Sequence, residues 1–370
     1  MKVAISAIRT KNIRINRHEL VTSIQGLGHS VFYIGQESND NIHPDYEKFN
    51  VKFLSIPLGR SNTNPFREIK SIIQTKRVLE ENNIEALISY GIRTFPTMVI
   101  AARLAGVKNI LCIVNGSGRL FQLKGLKGLF VKLISYPMLS LAFLLSKSIL
   151  FQNPDDMRLV KRKGLLWKKN YGTINGSGVN LEEFQFHELE KKPVFSMISR
   201  LTGSKGVNEY VQAASFAKQI HPNANFNLIG PIDEDNSGIN MKELKKAIDD
   251  GVISLSGKVE DVRPFLKQCR VFVLPSYYPE GVPRSILEAM AIGRPVITTN
   301  SPGCKETVVD GVNGFLVQPM DSTELAEKIV WMIENYEKVN IMGEESRKIV
   351  TEKFDVNKIN QLMLQQLGLN

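Results

Sequence analysis

The sequence predicts an α/β protein made of two doubly wound parallel sheets in series. Three observations point there. Short apolar runs alternate with longer helical stretches throughout the chain. The series restarts near residue 194, after a polar stretch at 186–193 that ends in Pro193. The length of 370 residues, with 43% hydrophobic and 23% charged, is ordinary globular material enough for two domains.

In the first series the expected strands are 3–6, 30–34, 51–56, 86–89, 110–114 and 148–151. Helical patterns fall near 17–26, 66–82, 94–104 and 155–163. The second series has strands at 194–199, 225–229, 253–256, 271–274, 296–298 and 314–317. Its helices lie near 206–219, 241–249, 262–268, 285–291 and 322–335. The expected domains are 1–188 and 189–352, with a tail at 353–370. In open parallel sheets ligands bind beyond the carboxyl ends of the strands, so the loops after each strand are where chemistry is expected.

The net charge of +10 is unevenly spread. Residues 1–185 hold 26 Lys and Arg against 13 Asp and Glu, whereas 186–370 hold 21 against 24. Residues 86–154 contain no acidic residue and eight basic ones. A basic half suits a polyanionic partner or an anionic membrane face, or is a plain solvated surface. No zinc-finger, RNP or basic-zipper pattern is present, so nucleic acid is not the expected partner. Cys112, Cys269 and Cys304 show neither pairing nor metal-ligand spacing, which fits inert thiols in a reducing compartment. Met1-Lys2 leads directly into Val3-Ala4-Ile5, a first strand rather than a secretory leader.

The most apolar stretch is 129–151, where Lys132 and Lys147 bracket 14 uncharged residues with Pro137 among them. A membrane span needs about 20 apolar residues, so the expectation is a buried helix or an interfacial one. Lys124, Lys127 and Lys132 beside Leu126, Leu129, Phe130, Leu133 and Ile134 favour the interfacial form.

The most informative segment is Pro279-Glu280-Gly281-Val282-Pro283-Arg284-Ser285-Ile286-Leu287-Glu288-Ala289-Met290, after an apolar strand that ends at Leu274-Pro275-Ser276. Glu280 is placed in a loop, Gly281 and Pro283 make a turn, and a helix starts near Arg284. Free amides at such a helix start can hold a diphosphate. Glu288 is placed on that helix, where a carboxylate can accept two hydrogen bonds from vicinal ribose hydroxyls.

This segment resembles the E-x7-E signature of the large family 4 of retaining glycosyltransferases, which have the GT-B fold. Other motifs in order are similar to that family: Ser199-Arg200-Leu201-Thr202-Gly203-Ser204-Lys205-Gly206, then Leu228-Ile229-Gly230, Ser256-Gly257-Lys258-Val259, and Glu306 through Val317. The resemblance implies two Rossmann-like domains with an active site in the interdomain cleft, and a final helix returning to the first domain. It implies that Arg200 and Lys205 neutralise the leaving diphosphate and that Glu280 holds the donor sugar. Gly257, Lys258 and Val259 would meet the base; Gly281, Val282, Pro283, Arg284, Ser285, Leu287 and Glu288 would complete the donor site.

The reaction implied is front-face attack by an acceptor hydroxyl, with the departing phosphate oxygen taking its proton. Fixed cations replace a metal in that scheme, so no cofactor and no essential metal are expected. Asp233-Glu234-Asp235 reads as a polar loop rather than a metal-binding D-x-D. The five histidines form no triad.

The first half is similar to the bacterial branch that extends undecaprenyl-diphosphate-linked glycans for capsule, O-antigen or glycoprotein. Matching pieces include Asn16-Arg17, Gly28-His29-Ser30-Val31, Pro57-Leu58-Gly59-Arg60, Asn115-Gly116-Ser117-Gly118-Arg119-Leu120-Phe121 and Gln152-Asn153-Pro154-Asp155. It departs from much of the family in having Ala7-Ile8-Arg9-Thr10 where many members carry a Gly-Gly loop, and no His in the loop after 110–114. The branch implies a lipid-diphosphate-linked sugar acceptor; a nucleotide-sugar donor is expected, UDP-linked as the first expectation, with the enzyme cytoplasmic and held peripherally on the anionic inner face of the plasma membrane. Arg14, Arg17, Arg60, Arg93, Asn115, Gly116 and Arg119 are the acceptor candidates. A soluble acceptor, or a nucleotide-sugar-binding protein without catalysis, are the competing readings.

Overall fold

The computed structural model describes residues 1–6, 17–36, 45–56, 65–233 and 238–369. The chain divides into two compact units, one of residues 1–177 and 356–370, the other of 178–355.

In unit 1 a seven-stranded parallel sheet is formed by β1 Lys2–Ser6, β2 Ser30–Gly35, β3 Lys52–Ser55, β4 Ala86–Tyr90, β5 Asn109–Val114, β6 Ser148–Phe151 and β7 Tyr171–Thr173. Their order is β3-β2-β1-β4-β5-β6-β7. Unit 2 has six strands: β8 Val194–Ile198, β9 Asn225–Ile229, β10 Ile253–Gly257, β11 Val271–Leu274, β12 Val296–Thr299 and β13 Gly314–Val317. Their order is β10-β9-β8-β11-β12-β13, again all parallel. Both units thus show the Rossmann order, in which the winding direction reverses beside the first strand.

Strand burial follows position in the sheet. The interior strand β4 is buried at every residue, because helices cover both faces of a parallel sheet. The edge strand β10 buries only Ile253, and its other residues are exposed or half-buried in turn. β7 was not among the expected strands: its Tyr-Gly-Thr run is three residues long, carries no apolar pattern and exists by pairing with β6. Helix starts carry their own signals. Asn153, Asn240 and Asp321 accept hydrogen bonds from the amides of Asp156, Glu243 and Glu324, capping the helices Pro154–Arg162, Met241–Asp249 and Ser322–Glu334.

The unit boundary lies ahead of the 188/189 position expected from the polar stretch. Val179 and Phe184 are buried in the unit 2 core, so the chain has already joined the second body before that stretch begins. At the other end, the helix Val356–Leu367 puts Ile359, Met363, Leu364 and Leu367 into a unit 1 core with Val3, Ile5 and Leu111. The Tyr90 hydroxyl meets the Met363 sulfur at 3.6 Å, and Lys147 donates to the Leu367 carbonyl.

The apolar stretch expected to fall short of a membrane span is a helix of 21 residues, Gly125–Leu145, long and apolar enough to cross a membrane by length and composition. Its length comes from residues N-terminal to the apolar run, which the charge of Lys127 and Lys132 obscures. One face packs on the helix Phe95–Leu104, with Phe143 edge-on to Phe95 at 5.8 Å.

Candidate active site

In unit 2 the winding reverses between β8 and β11, and loops leaving the carboxyl ends of those strands diverge around a crevice. Arg200 and Lys205 follow β8, Lys258 and Val259 follow β10, and Glu280, Pro283, Arg284 and Ser285 follow β11. All eight line one cavity of about 340 Å³. Four basic side chains and one carboxylate are among its lining residues, a charge balance suited to a polyanion. A larger hollow of about 570 Å³, lined by Glu183, His187, Asp261 and Arg263 among others, shares no residue with it. Its Arg263–Asp261 pair is closed at 2.9 Å and holds the Asp261 carboxyl below its usual range.

The backbone brings the two loops into direct contact. Gly206 has φ +84°, and a Cβ there would lie 2.2 Å from the Pro275 carbonyl oxygen, so only glycine lets the β8 loop rest on the β11 loop. The amides of Tyr277 and Tyr278 both donate to the Ser204 carbonyl, at 3.0 and 3.1 Å. Gly303 supports the loop from behind: its Cβ would strike the Gly281 carbonyl oxygen.

The charged side chains are held by one another. Lys205 Nζ lies 2.5 Å from Glu280 Oε2, each side chain 14% exposed. The Ser276 hydroxyl donates to Glu280 Oε1 at 2.8 Å, fixing the carboxylate from the other side. Arg284 Nε donates to Glu288 Oε1 at 2.9 Å, a pair one helical turn apart. Arg200 reaches Asp233 at 3.3 Å and stays about half exposed. The helix Arg284–Ala291 has no side-chain cap, which leaves its first amides for an anion. Behind the loop, burial pushes the Cys304 thiol up to about 12, with the Glu280 charge adding to it.

Other expected donor residues are placed differently. Glu288 is buried and paired but is not among the cavity-lining residues. Leu287 is fully buried in the unit 2 core and Val282 packs in the same core, so neither side chain faces a ligand. They lie on the inner face of the helix and of the turn before it, and only their backbone could serve. Gly257 ends β10, and its carbonyl is taken by the Gly230 amide at 2.7 Å. Ser276 was not singled out from the sequence. The available signal was its place directly after a strand and one turn before Glu280. Of Asp233-Glu234-Asp235, Asp233 pairs with Arg200, and the other two lie outside the described residues.

The acceptor candidates belong to unit 1. Arg17 opens the helix His18–Gly26, and its guanidinium sits 3.4 Å from the centre of the Tyr90 ring, at the end of β4. Burial pushes the Tyr33 phenol up, and the nearby Arg17 charge opposes this. Arg93 and Asn115 are exposed just after β4 and β5, with Gly116 beside them. The two loops touch, since a Cβ on Gly91 would be 3.5 Å from Asn115 Oδ1. Arg14, Arg60 and the Arg119 side chain lie outside the described residues.

Two parallel α/β units, each with this strand order, make the GT-B fold, and the cationic cavity at the switch point of the second suits a diphosphate. Residues 179–349 match the family model "Glycosyl transferases group 1", and unit 2 is a domain of that family. The chain is 27% identical over 328 residues to the N,N'-diacetylbacillosaminyl-diphospho-undecaprenol alpha-1,3-N-acetylgalactosaminyltransferase of Campylobacter jejuni, covering 85% of each chain. It is 27% identical over 335 residues to the UDP-Gal:alpha-D-GlcNAc-diphosphoundecaprenol alpha-1,3-galactosyltransferase of Escherichia coli, covering 85% of this chain and 83% of the relative. Among solved structures it resembles Anabaena Alr3699/HepE in complex with UDP, with a TM-score of 0.79 and 19% identity over the full length of both chains. At that identity the match concerns the fold.

Proposed function

We propose that this chain transfers a hexose or N-acetylhexosamine from a UDP-sugar to a lipid-diphosphate-linked saccharide, retaining the anomeric configuration and using no essential metal. The observation that carries it is the gathering of Arg200, Lys205, Glu280 and Arg284 around one cavity at the β8/β11 switch point. The names of the Campylobacter and Escherichia relatives support the acceptor class, and the UDP bound to the Anabaena protein supports the base.

Each side chain then has a task. Arg200 and Lys205 stabilise the diphosphate as its bond to the sugar breaks, the charge a metal would otherwise carry. The Glu280 carboxylate, steadied by Ser276, accepts hydrogen bonds from donor sugar hydroxyls. Lys205 is paired with Glu280, and in this reading its ammonium serves the departing phosphate as well. Glu288 takes the ribose hydroxyls once Arg284 turns towards phosphate. The acceptor hydroxyl attacks from the leaving-group face, and the phosphate oxygen receives its proton. Unit 1 offers Arg17, Arg93 and Asn115 to the acceptor.

The test has two parts. A thermal-shift screen against UDP, GDP and ADP, with Glu288→Ala as control, should give a shift with UDP that the variant loses. Transfer from UDP-sugars to a polyprenyl-diphosphate saccharide in EDTA should proceed, with an α-linked product from an α-linked donor. Binding of another base alone, dependence on added metal, or transfer only to a soluble sugar would each overturn the corresponding part.

A further inference from the structure

Four polar side chains of unit 1 are buried close together at the carboxyl ends of β5 and β6. They are Ser117, Gln152, Asn153 and Asp156, of which Asn153 is 0% and Asp156 2% exposed. Ligands of an open parallel sheet bind at this edge. Burying polar groups costs free energy unless each finds a partner, and apolar residues of similar size hold a fold at least as well.

Part of the cluster is a helix start. Asn153 accepts from the Asp156 amide at 2.8 Å and donates to Asp156 Oδ2 at 2.7 Å, which caps the helix Pro154–Arg162. A cap does not need burial. In unit 2 the same reciprocal pair, Asn240 with Glu243, starts the helix Met241–Asp249, with Asn240 exposed and Glu243 half-buried.

Asp156 does something more. Its carboxylate also accepts from the Ser117 hydroxyl and the Ser117 amide. These two bonds add nothing to the helix start. They fasten the segment 115–118, which leaves β5 as neither helix nor strand. Gly116 and Gly118, at φ +112° and +65°, stand on either side of Ser117. Glycines there widen what the backbone can adopt, so the shape of the segment depends on what pins Ser117. Ser117 is turned inward, whereas Asn115 is exposed beside the Gly91 loop. Burial pushes the Asp156 carboxyl up, and the Ser117 and Asn153 donors oppose this. The nearby Asp155 charge adds to the rise and is itself paired with Arg158 at 2.6 Å.

We infer that Asp156 is a positioning residue for the acceptor: through Ser117 it holds 115–118 in the shape that presents Asn115 and the Gly116 backbone to the acceptor sugar. Buried as it is, Asp156 touches no substrate itself. The inference rests on the acceptor reading proposed above for Asn115 and Gly116.

The experiment joins kinetics and amide hydrogen exchange on the full chain. The acceptor is the polyprenyl-diphosphate saccharide, or the soluble sugar if that proves to be the substrate. Asp156→Asn keeps the side chain's size but puts an amide N–H among donors. Ser117→Ala removes one hydroxyl and leaves the helix cap intact. Each should raise the acceptor KM by about tenfold, with kcat within about twofold and UDP affinity unchanged. Because both break one tie, the double variant should be no worse than the worse single one, whereas independent sites would multiply. Ser117→Thr keeps a hydroxyl and should stay within about twofold of the parent. Exchange over 115–118 should quicken by about tenfold in both single variants and keep the parent rate in Asn115→Ala, which removes a direct contact only. Should Asp156→Asn fail to fold, Ser117→Ala against Ser117→Thr carries the test, since neither touches the helix cap.

Parent exchange rates over 115–118 in the variants overturn the inference. So does an acceptor KM that Asn115→Ala raises and the two variants leave alone. An acceptor KM that Asn115→Ala also leaves alone removes the acceptor reading of this loop, and the inference with it. Loss of kcat and UDP affinity together with a lowered melting temperature would make Asp156 a part of the fold only, which overturns it as well.

Discussion

The two units share one strand order but use its switch point differently. In unit 2 the loops after β8 and β11 are locked together through Gly206, Ser204 and the tyrosine amides, and their charges are paired two by two. In unit 1 the corresponding edge presents Arg17 stacked on Tyr90, with exposed Arg93 and Asn115, and a surface that is basic and apolar. The difference teaches that the sheet supplies only a place. What binds there depends on whether the loops preorganise opposed charges for a small anion or offer a spread of cations and apolar area to something larger.

The largest effect should come from the paired charges of unit 2. Glu280→Ala should lower kcat by about a thousandfold, and Arg200→Ala by about a hundredfold, measured as sugar transfer. Arg200 is half exposed and its pair with Asp233 is surface-like, so its loss should leave the melting temperature within about a degree of the parent. Lys205→Ala should behave differently, losing both activity and about 2–3 kcal/mol of stability by strandng a poorly solvated carboxylate. If Lys205→Ala with Glu280→Ala is no more stable than Lys205→Ala alone, the view of unit 2 as a locked site is broken.

Next in size is Glu288, the proposed ribose anchor. Glu288→Gln should weaken UDP by about tenfold in calorimetry, the loss of a charge-assisted hydrogen bond, with little change in acceptor KM. A similar factor should follow Arg17→Ala, but in the acceptor KM and not in UDP affinity. Equal effects of both variants on both ligands would erase the division of labour between the units. Ser276→Ala should lower kcat by several-fold with UDP affinity unchanged, and Ser276→Thr should restore part of it, as expected of a positioning residue.

The smallest effect concerns the thiols, one in unit 1 and two in unit 2. Burial pushes Cys112 and Cys304 up to about 12 and Cys269 up to about 11. All three should resist a thiol reagent at pH 8 in the native chain and react once it unfolds. Because the unfolded thiols ionise first as pH rises, stability should fall above about pH 9, where the native chain holds more protons than the unfolded one. Reaction of one cysteine under native conditions would show which unit opens first.

Much of this was legible in the amino-acid order. Alternating apolar runs and helical stretches marked both sheets, because burial imposes a period on each element locally. Glu280, Arg284 and Glu288 stood out because a strand end, a turn and a helix start occur within a few residues, whereas Arg200 and Lys205 read as surface charge on their own and came only from the family resemblance. What spacing does not record is the partner across the fold. Lys205 and Glu280 are 75 positions apart, and only the contact of two loops at the switch point makes them an ion pair. The resemblance put Leu287 in the donor site, yet helix rotation turns its side chain into the core. β7 has no pattern of its own and is a strand through its neighbour. The exposed face of Gly125–Leu145 is decided the same way, since a uniformly apolar run does not say which side is covered until the rest of unit 1 packs against one face. Sequence determines periodicity and local chemistry, and tertiary structure decides which charges meet and which apolar face is left outside.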